Sequence, residues 1–148
     1  MILTRRGLLR HIDVERVERA IAEAELRTSG EIRVSVAPFF WGSVERTAER
    51  AFVRLGMQQT RARNGVLFFV VPARKSFVVL GDQGIHERVG QDFWQSVVAV
   101  VEPHFRRGHF TEGLLAGIAT IGEKLGEHFP YDRKTDRDEL PNRIDFPE

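Results

Sequence analysis

The stretch Asn64-Gly65-Val66-Leu67-Phe68-Phe69-Val70-Val71-Pro72 constrains the fold more than any other part of the chain. Six consecutive apolar residues, mostly β-branched or aromatic, stand between an Asn-Gly turn signal and a proline. A run this short, with no polar alternation, predicts a strand buried on both faces. A buried helix segment is the competing reading, but helices usually run longer. A strand covered on both faces needs helices on both sides, which implies a layered α/β protein.

The flanking segments supply those layers. Asp13 is placed to cap a helix to about Arg27, with Val17, Ala20, Ile21 and Ala24 as its apolar stripe. Glu31 to Ala37 alternates, with Ile32, Val34 and Val36 on one side and Glu31, Arg33 and Ser35 on the other. This predicts a strand with one wetter face near a sheet edge. Ser43 caps a second expected helix to about Leu55, and Gly56 stops it. Ala73-Arg74-Lys75 is too short for a parallel crossover, so Ser76–Leu80 must return antiparallel. The first two strands flank a helix and should be parallel, with a right-handed crossover. The predicted class is an open three-layer α/β sandwich. Its sheet is mixed, a parallel β-α-β unit followed by an antiparallel hairpin, with helices on both faces.

Beyond the hairpin, Gly81 to Gly90 is rich in glycine, and a short helical turn is expected around Ile85–Val89. A third helix is expected from Gln91 to Phe105, with Trp94, Val97, Val98, Val101 and Phe105 on one face and Pro103 kinking or ending it. Thr111 is placed to cap a fourth helix carrying Leu114, Ile118, Ile121 and Leu125 inward. Its glycines pair at four-residue spacing, 113 with 117 and 122 with 126, which permits close backbone packing against the sheet or the third helix.

A chain of 148 residues reads as one domain. The expected boundaries are an extension over 1–12, the α/β domain over 13–130, and a charged tail, disordered or loosely draped, over 131–148. With no cysteine, disulfides and thiolate metal sites are excluded. Residues 1–63 carry twelve Arg, no Lys and eight acids, a net +4, while the whole chain is only +1. These basic residues are interleaved with acids and lack a concentration of stacking aromatics, so no nucleic-acid partner is expected. Arg10, His11 and Asp13 interrupt the apolar run a secretory signal would need, and no segment approaches a membrane span. The expectation is a cytoplasmic protein without direct membrane insertion.

The strand directions bring distant polar residues together. Parallel first and second strands put Glu31 and Asn64 at one end of the sheet, and the third strand returns Gly81-Asp82 to it. The expected cluster is Glu31, Arg63, Asn64 and Asp82, framed by Arg61 and by the loop holding Gly81 and Gly84. Those glycines would allow close approach of a ligand or positive φ. Carboxylates with an amide oxygen are hard donors that suit Ca²⁺ or Mg²⁺. Arginines beside them can hold phosphate bidentately. Competing readings are a turn cap for Asp82, a surface ion pair for Glu31, solvated loop charges for Arg61 and Arg63, and a first-turn acid for Asp92. The opposite end of the sheet sets Phe39-Phe40-Trp41 near Arg74 and Lys75, a rival patch for protein binding or a cover over the core. No nucleophile elbow, P-loop, dinucleotide fingerprint or zinc-type histidine spacing is present.

The sequence resembles the TPM domain family over about residues 10–130. The specific marks are Ser29-Gly30-Glu31, Asn64-Gly65-Val66-Leu67, Arg74-Lys75, Gly81-Asp82-x-Gly84 and Phe105-Arg106-x-Gly108-x-Phe110. That family includes a thylakoid-lumen protein of photosystem II repair and many bacterial proteins. The resemblance implies an α/β sandwich, divalent-metal binding and weak acid-phosphatase activity. Carried over residue by residue, it implies Glu31, Asn64, Asp82 and Asp92 as metal ligands. The expected function is a protein-interaction module for an unidentified protein partner, with Ca²⁺ or Mg²⁺ near Asp82. The alternative is a metal-assisted phosphatase in the same cleft, for which the sequence offers no specific nucleophile.

Overall fold

A computed structural model of the protein describes residues 11–38, 42–132 and 139–147. Helix α1, Val14–Ala24, starts where the Asp13 carboxylate accepts the Arg16 N–H, and it buries Val17, Ile21 and Ala24. It ends three residues before Arg27, because Arg27 N–H turns back to the Ala24 carbonyl in a tightened last turn. Helix α2, Val44–Arg54, is capped by Ser43, and Gly56 follows it with φ +68°. That left-handed conformation is what a glycine stop provides.

Strand β1, Glu31–Val36, pairs in parallel with β2, Gly65–Val71, from Glu31 opposite Gly65 to Val36 opposite Val70. Strand β3, Ser76–Gly81, runs antiparallel to β2, from Val66 opposite Gly81 to Val71 opposite Ser76. The order is β1-β2-β3, with the apolar run in the centre. A 3₁₀ turn at Pro72–Arg74 and Lys75 at φ 49° join the hairpin. The helices that follow are α3, Gln83–His86, then α4, Gln91–Arg106, and α5, Phe110–His128.

Two cores lie on opposite faces of the sheet. Ile32, Val34, Val36, Val66, Phe68 and Val70 pack with residues of α1, α4 and α5. Leu67, Phe69 and Val71 pack with Ala48, Ala51 and Phe52 of α2 and with Met57. The protein is the expected three-layer α/β sandwich with a mixed sheet. Among the described residues no helix is long and apolar enough to cross a membrane.

Several local expectations are corrected. The polar face of β1 is not wet: all six of its residues are buried. Residues 139–147 cover it, draped along the outer edge of the strand. The Asp145 N–H donates to Val34 O at 2.9 Å, and Val36 N–H donates to Asp145 O at 2.8 Å, a parallel β-bridge. Leu140 and Ile144 are buried, one in each core. Phe93 replaces Val98 on the inner face of α4, and the helix continues past Pro103 to Arg106. Proline removes one amide donor, and only three residues of the helix lie beyond it. His109, not Thr111, precedes α5. The Thr111 hydroxyl instead accepts the Asp13 N–H at 3.0 Å, tying α5 to the start of α1. The helical turn expected at Ile85–Val89 lies two residues earlier, because Asp82 caps it.

Candidate functional site

The strand directions assemble the expected cluster. Glu31 N–H donates to Asn64 O at 3.3 Å, and Asp82 N–H donates to Gly65 O at 2.9 Å, so three chain segments converge at one end of the sheet. Arg63, held in the left-handed region at φ 51°, turns its guanidinium onto Asp82. Its Nε donates to Oδ2 at 2.6 Å and its Nη2 to Oδ1 at 2.9 Å. Donating these hydrogen bonds to the Asp82 carboxylate holds the Arg63 guanidinium above its ordinary pKa. Asp82 Oδ1 also accepts the Gln83 N–H at 2.8 Å, so the turn-cap reading and the ion-pair geometry are both realised.

The glycines here are filled by the protein itself. A Cβ at Gly84 would lie 2.2 Å from Ala62 O and 2.6 Å from Arg63 O, and one at Gly81 would lie 2.4 Å from the Trp94 ring. Neither glycine has positive φ. They exist for close internal packing, which corrects the expectation that they make room for a ligand. Asn64 N–H donates to Thr60 Oγ1 at 3.1 Å, and its side-chain Nδ2 donates to Ser29 Oγ at 3.3 Å. Its Oδ1 is buried and accepts no hydrogen bond among the described residues. Glu31 Oε1 accepts the Glu139 N–H at 2.5 Å, and Arg61 N–H donates to Glu139 Oε2 at 3.2 Å. The tail thus reaches this end of the sheet as well.

Asp92 is not part of the cluster. It lines a separate groove between the start of α4 and the end of α5, with Arg88, Lys124, Glu127 and His128. Among the described residues, no three of His, Asp and Glu come together in a way that would hold a metal ion. As oxygen donors, Asn64 Oδ1 and Asp82 are of the right chemical type for a hard cation. Asp82, however, already faces a guanidinium, so a cation there would have to displace Arg63. At the opposite end of the sheet, Phe39, Phe40 and Trp41 lie outside the described residues, and Arg74 Nη1 donates to Gly42 O at 3.4 Å.

A second polar cluster escaped the sequence reading. Ser35 Oγ and Arg54 Nη2 each donate to Asp145 Oδ2 at 2.8 Å, and Arg33 lies on the same face of β1 as Ser35. Burial lowers the pKa of Arg33, and the Asp145 charge opposes that shift. The available signal was the spacing of Leu140, Ile144 and Phe146 in an otherwise polar tail.

Comparison with known proteins agrees with this architecture. A family model described as TPM domain matches residues 2–124. The NMR structure of BA42 protein from the psychrophilic bacterium Bizionia argentinensis superposes with a TM-score of 0.86 at 37% identity, over 92% of this chain and 95% of that one. The solution NMR structure of the N-terminal domain of the cg2496 protein from Corynebacterium glutamicum shares the fold alone. It gives a TM-score of 0.59 at 11% identity, over 88% of this chain and 75% of that one. No curated protein matches the chain. With most of its length matched by the family model and by a close structural relative, this chain belongs to the TPM domain family.

Proposed function

We propose that this TPM domain is a protein-interaction module and not a phosphatase. The observation that carries this reading is the Arg63–Asp82 pair, with contacts of 2.6 and 2.9 Å. A phosphatase centre needs an acid, nucleophile or activated water left open to substrate. Here the central carboxylate is satisfied by a guanidinium and a backbone amide, and the loop glycines are packed against Trp94 and the 62–63 backbone. The arrangement ties the 62–63 backbone, Asp82 and Trp94 together at this end of the sheet. A rigid scaffold of this kind suits binding.

The same reading includes Ca²⁺ or Mg²⁺ as a ligand that would exchange for Arg63, with Asp82 and Asn64 Oδ1 as donors. The test combines an amide NMR titration with Ca²⁺ and Mg²⁺ and an assay of phosphomonoester hydrolysis. The expected outcome is cation-dependent shifts near 31, 63–64 and 82, weakened in Asp82→Asn, with no turnover. Hydrolysis by the wild-type chain that disappears in Asp82→Asn would replace this reading with the phosphatase. Equal cation shifts in Asp82→Asn would remove the cation from this site.

A further inference from the structure

The outer edge of β1 lies inside the span matched by the family model, which ends at residue 124, yet a segment beyond that span fills it. Without residues 139–147, Val34 O and Val36 N–H would face outward unpaired, as edge-strand groups do. Arg33 and Ser35 would be uncovered on the same face. Such an edge is the usual template for adding an extended segment as one more strand.

The way the tail sits there defines what the edge recognises. Asp145 makes the backbone bridge on both sides of one residue, and its carboxylate receives Ser35 and Arg54. Ile144 enters the larger core, and its N–H donates to Glu18 Oε2 at 2.8 Å. Leu140, four residues earlier, enters the smaller core beneath α2. Phe146 packs partly against the larger core. The groove thus takes two aliphatic anchors four residues apart, then an acid, then an aromatic. Charge complementarity is local: Arg33 and Arg54 face a single carboxylate, with Arg143 of the same segment opposing Arg33, and Arg33 Nε, in a residue nine-tenths buried, has no hydrogen-bond partner among the described residues. The strand-like part of the hold is small. One residue forms the backbone bridge, and the Arg54 side chain is 49% exposed.

We propose that the β1 edge is a peptide-docking groove and that residues 139–147 are its resident, displaceable ligand. The occupant in trans is an extended segment of a partner protein carrying the aliphatic-x-x-x-aliphatic-acid-aromatic pattern. This inference rests on the reading of the domain as an interaction module, and it names the surface and the ligand chemistry. The tethered copy sits at an effective concentration of roughly millimolar, so a free peptide competes poorly until the tail is loosened.

The test uses the full chain and a synthetic peptide of residues 139–148. In the variant Ile144→Asp, Asp145→Ala, the tail should leave β1, and the peptide should bind with saturable amide shifts at residues 32–36. The wild-type chain should show no such shifts at the same peptide concentration. A peptide with alanine in place of its aspartate should bind about tenfold more weakly or worse, since it loses charged hydrogen bonds. A released variant that takes no peptide, or a tail that stays docked despite both substitutions, overturns the groove. Doubling of mass in light scattering of the wild-type chain, abolished by the same substitutions, would assign the groove to a second copy and overturn the partner assignment. If the double variant does not fold, Arg54→Ala serves instead: amide exchange at Val36 and Asp145 should speed up, and unchanged protection there overturns the proposal. None of these readouts depends on cation binding or phosphoester turnover, so the groove and the module reading fail separately.

Discussion

Gly84 is a position where the backbone leaves no room for one more atom. The nearest neighbours of an added Cβ are the Ala62 and Arg63 carbonyl oxygens, at 2.2 and 2.6 Å, and the Gly84 N–H already donates to Arg63 O at 2.9 Å. Gly84→Ala is therefore expected to destabilise the fold by about 1–3 kcal/mol, the cost of overpacking against groups that cannot rotate away. Urea unfolding measures this directly. A midpoint equal to wild type would mean that the 60–63 loop yields freely and that the Arg63–Asp82 geometry is soft. Asp145 makes a different prediction. Burial, the largest influence, pushes its carboxyl up, but hydrogen bonds from Arg54 and Ser35 and the charges of Arg54 and Arg33 outweigh it and hold the pKa below its ordinary value. A native pKa below the unfolded one stabilises the docked tail fully above the unfolded value of about 3.9, and the contribution is lost as pH falls through the native value. Protection of the Val36 and Asp145 amides should hold at neutral pH and fall in acid below about pH 4. Asp145→Asn should weaken docking at neutral pH and flatten this profile. An acid transition that persists in the Asn variant would have to be assigned to other carboxylates. The Asp82 cluster was legible because it follows from strand direction alone. The roles of Gly81 and Gly84 were not, because what fills them comes from α4 and from the 62–63 backbone, contacts that no local pattern encodes.

At the scale of elements, α5 is the helix that the others must approach. A Cβ at Gly113 would meet the Phe105 ring at 2.6 Å, and one at Gly117 would meet Phe68 at 2.6 Å and Val101 at 2.7 Å. One at Gly122 would meet Ala24 Cβ at 2.8 Å, and one at Gly126 would meet Arg27 O at 2.7 Å. The first pair seats α5 against α4 and the sheet, and the second seats it against the end of α1. The four-residue spacing made this packing face readable in advance, and the sheet and the preceding helix as partners of the first pair, although not the end of α1 as partner of the second. Gly122→Ala separates two opposing effects. Helix propensity favours alanine by about 0.8–1.0 kcal/mol. The clash is with an alanine whose Cβ has no rotamer to escape into, and overpacking costs about 1–3 kcal/mol. Net destabilisation is expected, with chemical-shift changes centred on residues 20–27, the end of α1 and the turn that follows it. Stabilisation would show that α1 slides outward at little cost. Pro103 does not end α4 early, for a related reason: a proline signals a break within a segment, but here its removal of one donor near the end of α4 is outweighed by the burial of Val101 and Phe105 on either side.

At the scale of the whole molecule, β2 is shared by both cores. Alternate residues of one strand enter them, Val66, Phe68 and Val70 on one face and Leu67, Phe69 and Val71 on the other. That architecture was legible because six apolar residues in a row admit few other placements. The covering of β1 was not, since its polar residues alternate as a wet face would, and the segment that buries them lies more than a hundred residues away. The shared strand couples the layers energetically. Phe69 is 1% exposed and belongs to the smaller core beneath α2, whereas α1, α4 and α5 lie across the sheet from it. If the two faces unfold as one unit, Phe69→Ala should cost about 3–5 kcal/mol of global stability, as truncation of a buried phenylalanine does. Far-UV circular dichroism, which is dominated by α4 and α5, should then shift to lower denaturant together with the amide exchange of α2 and β2. Loss of α2 protection at unchanged helical circular dichroism would instead show that the α2 layer opens by itself. In that case the covering of β1 by residues 139–147 would depend on a layer less stable than the rest, because Leu140 is anchored in that smaller core and Arg54 belongs to α2.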